Sequence, residues 1–304
     1  MLSLHELVSL AEENSAAMEL PVASFRIADR EFATDNERVL MGVVNLSRDS
    51  TYRESIAPTR ADAVRRARIM VAQGAQVIDI GAESSRSSAS RTTAQAQIDS
   101  LVPVIEELTA IGIPTSVESY EIDVIRAGLA AGASVVNLTG TRNEGAVYEA
   151  VAEHGASMVM CFTPGETVRD ELELRIPEDP IPTLLEHFAP RIELARSAGV
   201  ASIAVDPGLG FFYKSVLDPQ AKIRYQLRTL LRSFGLRALG VPVCALTPQA
   251  IEAFQEEAAI GEAITSVFAT LGGVGILRIH EVSQVAATLR LLGTVGSVGI
   301  AADR

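Results

Sequence analysis

The residues of this chain whose types could do chemistry are Asn45, Asp79, Glu83, Ser84, Ser85, Arg86, Glu118, Asn137, Asp206, Arg278 and His280, each at or near the end of a short apolar run. Asn45, Arg86, Arg278 and His280 suit an anionic group such as phosphate or pyrophosphate, because Arg offers a planar fork of donors and His can add another. Glu118, Asn137 and Asp206 suit a ligand with amide-like donors. Taken singly, each reads more readily as a cap, a satisfied core polar group or a structural ion pair. Gathered at one rim, they favour a binding site. Other chemistries find less support. His5, His154, His187 and His280 show no zinc spacing, no Ser lies in a GxSxG turn, and neither Cys161 nor Cys244 belongs to a CxxC pair. Glu118 and Asp206 could form the carboxylate pair of a glycosidase, but 5% aromatic residues and no Trp give few platforms for a sugar.

The elements that must position these residues follow from the apolar pattern. Val39 to Val44 is a short apolar run that stops at polar residues, the mark of a strand buried on both faces of a parallel sheet. Seven more strand candidates follow: 77–80, 115–117, 134–137, 158–161, 202–205, 241–246 and 275–279. Between them lie helical stretches at 60–73, 93–110, 121–131, 143–154, 183–198, 218–233, 249–271 and 281–292. Several helices stop at a glycine before the next strand, as at Gly74, Gly132 and Gly199. Eight βα units over about 250 residues predict a (β/α)8 TIM barrel, in which functional groups gather at the C-terminal ends of the strands. A doubly wound sheet would show a glycine-rich first turn, and no GxGxxG follows any strand. The spacing predicts an N-terminal extension over 1–37 and the barrel over 38–304. Residues 3–19 read as one amphipathic helix with Leu4, Leu7, Val8 and Ala11 on a stripe, and residues 24–38 as a short hairpin that could plug the bottom of the barrel. Thr163 to Ile181, with six acidic residues and three prolines, reads as a solvated loop over the fifth strand.

Composition narrows the partners. A chain of 304 residues, 48% hydrophobic and 21% charged, can bury a substantial core, and its net charge of −12 argues against nucleic acid or an anionic membrane as the main partner. No segment has the length and apolarity of a membrane span, and Glu6, Glu12 and Glu13 interrupt what a secretory signal would need as an apolar core. Both cysteines lie in apolar runs, as expected of buried residues in a reducing compartment. The expected location is the cytoplasm.

Six stretches carry a resemblance: MGVVNLSRDS (41–50), VIDIGAESSRS (77–87), SVESY (116–120), AGASVVN (131–137), DPGLGF (206–211) and RIHEV (278–282). In this order they resemble dihydropteroate synthases, of the pterin-binding superfamily of TIM barrels, over residues 38–292. The resemblance implies condensation of 6-hydroxymethyl-7,8-dihydropterin pyrophosphate with 4-aminobenzoate, two small-molecule substrates, in folate biosynthesis. By motif, Asn45 matches the residue that binds the magnesium ion (Mg2+) accompanying the pyrophosphate. Arg86, Arg278 and His280 match the residues that hold the leaving group. Asp206 matches the acceptor of the pterin's amide edge, with Asn137, Glu118 and Ser85 as further substrate contacts. A homodimer is common in the family, and Ile251 to Leu271 is the candidate face, with burial inside the monomer as the equal alternative.

The chain departs from the family's pattern at several points. The first loop carries Arg48 and Thr51 where the family has Pro and Phe, and the second reads Ser85-Arg86-Ser87 in place of Thr-Arg-Pro. Glu118 stands where Asp is usual, Leu138 follows Asn137 in place of Asp, and Ala245-Leu246-Thr247-Pro248-Gln249 replaces a segment that should contain Ser-Arg-Lys. Lys214 is the candidate substitute for the missing lysine. Two alternatives follow: a paralogue that binds a pterin or another anion without condensing it, and a folate-dependent methyltransferase, against which the retained RIHEV argues.

Overall fold

In the computed structural model, residues 2–47, 49, 56–84, 89–170, 177–210, 218–248, 251–254, 257–296 and 299–300 are described. Two short helices, α1 (Leu4–Glu13) and α2 (Ser15–Met18), come first. The sequence pattern predicts one helix here; it breaks at Asn14, whose side-chain amide donates to the Leu10 carbonyl at 2.8 Å. A capping box between Ser3 and Glu6 starts α1. The apolar stripe of α1 is only partly covered: none of its residues is fully buried, Leu7, Leu10 and Ala11 are half-buried, and Leu4 is 77% exposed.

The expected hairpin is present as β1 (Phe25–Ile27) paired antiparallel with β2 (Arg30–Phe32), its turn using Ala28 at φ 53°. Then come the barrel strands β3 (Glu37–Asn45), β4 (Val77–Gly81), β5 (Thr115–Ser119), β6 (Val135–Leu138), β7 (Ser157–Cys161), β8 (Ile203–Asp206), β9 (Cys244–Leu246) and β10 (Ile276–Ile279). The helices between them are α3 (Arg60–Ala72), α4 (Ala94–Ala110), α5 (Ile122–Ala130), α6 (Glu144–Glu153), α7 (Ile181–Ser197), α8 (Pro219–Arg232), α9 (Ile251–Phe254) and α10 (Ala258–Leu271), with α11 (Val282–Gly293) after β10. The helix expected over 249–271 is thus two, and a 3-10 helix over Ser233–Leu239 follows α8. A last short strand, β11 (Gly299–Ile300), pairs with the start of β3.

Each barrel strand pairs in parallel with its neighbours in the order β8-β7-β6-β5-β4-β3-β10-β9. The ring closes between β8 and β9, where the Val205 amide donates to the Pro242 carbonyl at 3.0 Å and Val205 bridges Val243. The strand runs look uniformly apolar because they are buried on both faces. Their alternation separates two cores. Leu40, Ile78, Val117, Val136, Met158, Val205 and Leu277 face the helices, whereas Val39, Met41, Val77, Val135, Val159, Ala204, Cys244 and Ile276 face inward. Phe25, Ile27 and Phe32 of the hairpin join the inward set and are essentially inaccessible. Burying three large side chains there stabilises the barrel floor by several kcal/mol, at about 2 kcal/mol each.

Candidate active site

The inward parity that begins with valines and isoleucines continues, two residues further along each strand, with polar groups. Asp79 follows Val77 on β4, Asn137 follows Val135 on β6, Cys161 follows Val159 on β7, Asp206 follows Ala204 on β8, and Arg278 follows Ile276 on β10. Glu118 lies opposite Asn137 on β5. All are at the C-terminal half of the barrel, above a mostly apolar layer in which Ser116 and Ser157 flank Val135. That layer excludes water from below, so every charge here must be answered from above or from across the ring.

Arg278 is the hub. Its Nε donates to Asp79 Oδ2 at 2.7 Å, and a terminal nitrogen is ion-paired to Glu118. Asp79 Oδ2 also receives the Asn137 amide at 2.9 Å, and Asn137 in turn accepts from the Cys161 thiol at 3.1 Å. Asp79 is fully buried, and its Oδ1 has no partner, nor has the buried hydroxyl of Ser116, its register partner on β5. Glu118 reaches Arg278 because Gly81, its neighbour on β4, has no side chain: a Cβ there would lie 3.0 Å from Glu118 Oε2.

The electrostatics follow from burial. Glu118 is pushed up from an ordinary 4.5 to about 7, chiefly by loss of solvent and also by the charges of Asp79 and Asp206, with Arg278 pulling the other way. Asp206 is pushed up to about 6 by burial despite the Gly208 amide, which donates to its Oδ1 at 2.7 Å. Burial works against the charge of Arg278, but Glu118 and Asp79 outweigh it and hold the guanidinium more firmly protonated than in water. Burial also raises Cys161 and Cys244, both free, so they remain thiols and are poor nucleophiles.

His280, just past β10, is organised by a residue that sequence reasoning passed over. Glu262 of α10, inaccessible to solvent, accepts the His280 Nδ1–H at 2.7 Å, the His280 amide at 2.9 Å and the Glu281 amide at 2.7 Å. One carboxylate thus fixes the imidazole tautomer and caps the approach to α11. The available signal was a single acidic residue inside the apolar stretch Ala-Ala-Ile-Gly-Glu-Ala-Ile. Asn45 ends β3, next to Gly81 of β4. Ser85, Arg86 and Lys214 lie outside the described residues, as do Arg48, Thr51 and Gln249.

Glu83 turns away from this cluster. It pairs with Arg169 at 3.5 Å, accepts the Thr92 amide at 3.0 Å and takes a hydrogen bond from Tyr120, whose hydroxyl also receives Arg91 at 3.2 Å. Arg169 belongs to the stretch expected to be a solvated loop. Its first half is instead packed: Thr163, Thr167, Val168 and Arg169 are buried, and the Val168 amide donates to the Thr139 carbonyl at 3.1 Å.

Among the described residues no three His, Cys, Asp or Glu side chains lie close enough to hold a metal ion by themselves. Asn45 offers a neutral amide oxygen. That suits a magnesium ion that keeps water and phosphate oxygens as its other ligands, and not one caged by protein.

The comparisons with known proteins agree with this geometry. The family model for pterin binding enzymes matches residues 41–280. The chain is 30% identical to dihydropteroate synthase of Mycobacterium leprae over 84% of its own length and 92% of the relative's. Among solved structures, dihydropteroate synthase of Burkholderia cenocepacia, complexed with 7,8-dihydropteroate, superposes with a TM-score of 0.75 at 25% identity, over 90% of this chain and 96% of that one. The Xanthomonas albilineans enzyme with 4-aminobenzoic acid gives 0.74 at 27% identity, over 90% and 98%. A barrel whose six motifs converge on one polar mouth, matched over most of its length by such relatives, belongs to the pterin-binding enzyme family, in its dihydropteroate synthase group.

Proposed function

We infer that this chain joins 6-hydroxymethyl-7,8-dihydropterin pyrophosphate to 4-aminobenzoate, releasing pyrophosphate and forming dihydropteroate. The observation that carries the reading is the ring of Asp206, Asn137 and Asp79 around Arg278, in a barrel whose relatives along nearly all its length are dihydropteroate synthases. A pterin presents adjacent N–H and amino donors on one edge, and Asp206, buried and already held by Gly208, offers the paired acceptor such an edge needs. Asp79 Oδ1 and the Ser116 hydroxyl, both without partners, are further polar groups that a bound heterocycle or its water could satisfy.

Departure of pyrophosphate leaves charge on both fragments, so the main task is electrostatic. Arg278 supplies a fixed cation at the floor, His280 is oriented by Glu262 at the rim, and Arg86 is assigned to the leaving group. When bound, magnesium neutralises the pyrophosphate and makes it a better leaving group; Asn45 is the residue assigned to it. The barrel mouth keeps water from the pterin methylene until the aminobenzoate amine attacks. We assign the enzyme to the cytoplasm, in keeping with its two free buried thiols; no described helix is long and apolar enough to cross a membrane. We also assign a homodimer face to α10, where Ile260, Ile264 and Leu271 recur at helical spacing and are 42–55% exposed. Light scattering on the purified chain tests that assignment.

The test of function is pyrophosphate release in magnesium, with and without 4-aminobenzoate, together with direct detection of dihydropteroate. Product that requires aminobenzoate supports the synthase. Pterin binding without product would favour a non-condensing paralogue, a reading that draws on the neutral segment Ala245 to Pro248 and on Arg278 being tied to two carboxylates.

A further inference from the structure

Arg169 is a buried cation to which the reaction assigns nothing. It lies in the segment after β7, yet its contacts are with the segment after β4: Nη1 donates to the Ser84 carbonyl at 2.8 Å and Nη2 to the Ala89 carbonyl at 2.5 Å, while Nη1 faces Glu83 at 3.5 Å. These two carbonyls bracket residues 85–88, which include Arg86. A guanidinium can span two acceptors with its planar fork, which a lysine ammonium on a flexible stem cannot do.

Both sides of the contact are themselves held. On its own side, Arg169 lies within a turn in which the Thr167 amide and hydroxyl donate to Asp170 at 2.9 and 3.1 Å, and Thr167 bridges Gly140 beyond β6. Gly140 is needed for that approach, since a Cβ there would lie 2.6 Å from the Glu166 carbonyl. On the far side, Glu83 is fixed by Tyr120 and Thr92, and the Ser84 hydroxyl donates to the Asp49 carbonyl at 2.9 Å. Segments following β3, β4, β5 and β7 thus meet at one guanidinium–carboxylate pair. A cation this well buried would be costly without Glu83, and the pair is fixed by backbone groups on both flanks.

We propose that Arg169 is a positioning residue for pyrophosphate binding: by holding the Ser84 and Ala89 carbonyls together, it sets where the chain bearing Arg86 leaves and rejoins the barrel mouth. This rests on the pyrophosphate role proposed above for Arg86. Its effect is on binding of the pterin pyrophosphate and not on aminobenzoate, because the clamp touches only the segment after β4 and its neighbours.

The test compares the full-length wild type with Arg169→Lys and Arg169→Gln, the lysine variant keeping a charge opposite Glu83 should the glutamine variant fold poorly. Hydrogen exchange of residues 83–93 needs no ligand, and both variants are expected to exchange there at least about tenfold faster with the barrel strands unchanged. The KM for the pterin pyrophosphate is expected to rise roughly ten- to hundredfold while that for 4-aminobenzoate stays fixed. In an Arg86→Ala background, adding Arg169→Lys should change that KM by less than about twofold, because both act through one group. Exchange over residues 83–93 that is no faster in either variant than in the wild type overturns the clamp. Additive losses, or a rise in the aminobenzoate KM, overturn its action through Arg86. Failure of the wild type to bind magnesium pyrophosphate overturns the functional reading and the kinetic part of the proposal, while exchange still decides whether Arg169 holds the segment.

Discussion

Replacing Glu118 by Gln should remove a pH dependence that burial has built into the barrel. Glu118 faces Arg278 from β10, Asp79 from β4 and Asp206 from β8, and its pKa stands at about 7 against an ordinary 4.5. A carboxyl with a higher pKa folded than unfolded keeps its proton longer in the folded chain. Its contribution to stability is therefore full below about 4.5 and is lost as pH rises through about 7. At roughly 1.4 kcal/mol per decade of proton affinity, that loss is about 3 kcal/mol. Gln keeps nearly the same shape and an oxygen that can accept from Arg278, but it cannot ionise. Urea unfolding of wild type and Glu118→Gln at pH 5, 6, 7 and 8 should show the stability difference moving by about 2–3 kcal/mol in favour of the variant as pH rises. Two curves parallel over that range would refute the reasoning, because they would mean that Arg278 holds Glu118 ionised throughout and that desolvation does not prevail.

Further outcomes follow from the same geometry. Glu262→Ala leaves two backbone amides and the His280 ring without their acceptor, so stability should fall by about 2–4 kcal/mol in urea unfolding, and kcat should fall with it. Pterin affinity, followed by fluorescence titration from pH 5 to 8, should weaken as pH falls through about 6, where Asp206 gains a proton. Asp206→Asn should abolish that dependence and cost roughly a hundredfold in affinity, about 2–3 kcal/mol; a persisting pH dependence would assign it elsewhere. Gly81→Ala puts a methyl group 3.0 Å from Glu118 Oε2 and should displace that carboxylate from Arg278, costing about 1–3 kcal/mol; unaltered stability would show that Glu118 can reach Arg278 by another path.

The alternation of strand and helix was legible because strands buried on both faces are short, mostly apolar stretches, and every barrel strand overlaps such a stretch. The mouth was legible for the same reason: Asp79, Asn137, Asp206 and Arg278 are polar interruptions or terminations of those runs. What the pattern could not give is partner choice. Arg169 and Glu262 act over separations of 80 and 18 residues respectively, on carbonyls and amides that leave no trace in side-chain periodicity. Glu83 stood among the rim candidates, yet it serves the segment after β4 because Tyr120 and Arg169 draw it there. The stripe on α1 shows the limit from the other direction: an amphipathic pattern states that a face is apolar, not how fully it is covered.

The described strands set three carboxylates, Asp79, Glu118 and Asp206, around one guanidinium, and the segment from Ala245 to Pro248 adds no cation. Such a floor cannot hold all its charges in a dry site without cost, and the raised pKa values of Glu118 and Asp206 are the form that cost takes. Two things can relieve it: a proton on Glu118, or a ligand that brings donors. A pterin brings donors along one edge and leaves its ring carbonyl seeking one. Glu118 is the acid that carries that proton, on a floor to which the seventh barrel strand adds no cation. Binding and protonation then become linked at Asp206, whose proton must leave before it can accept the pterin edge, and the fall of affinity below about pH 6 reports that linkage.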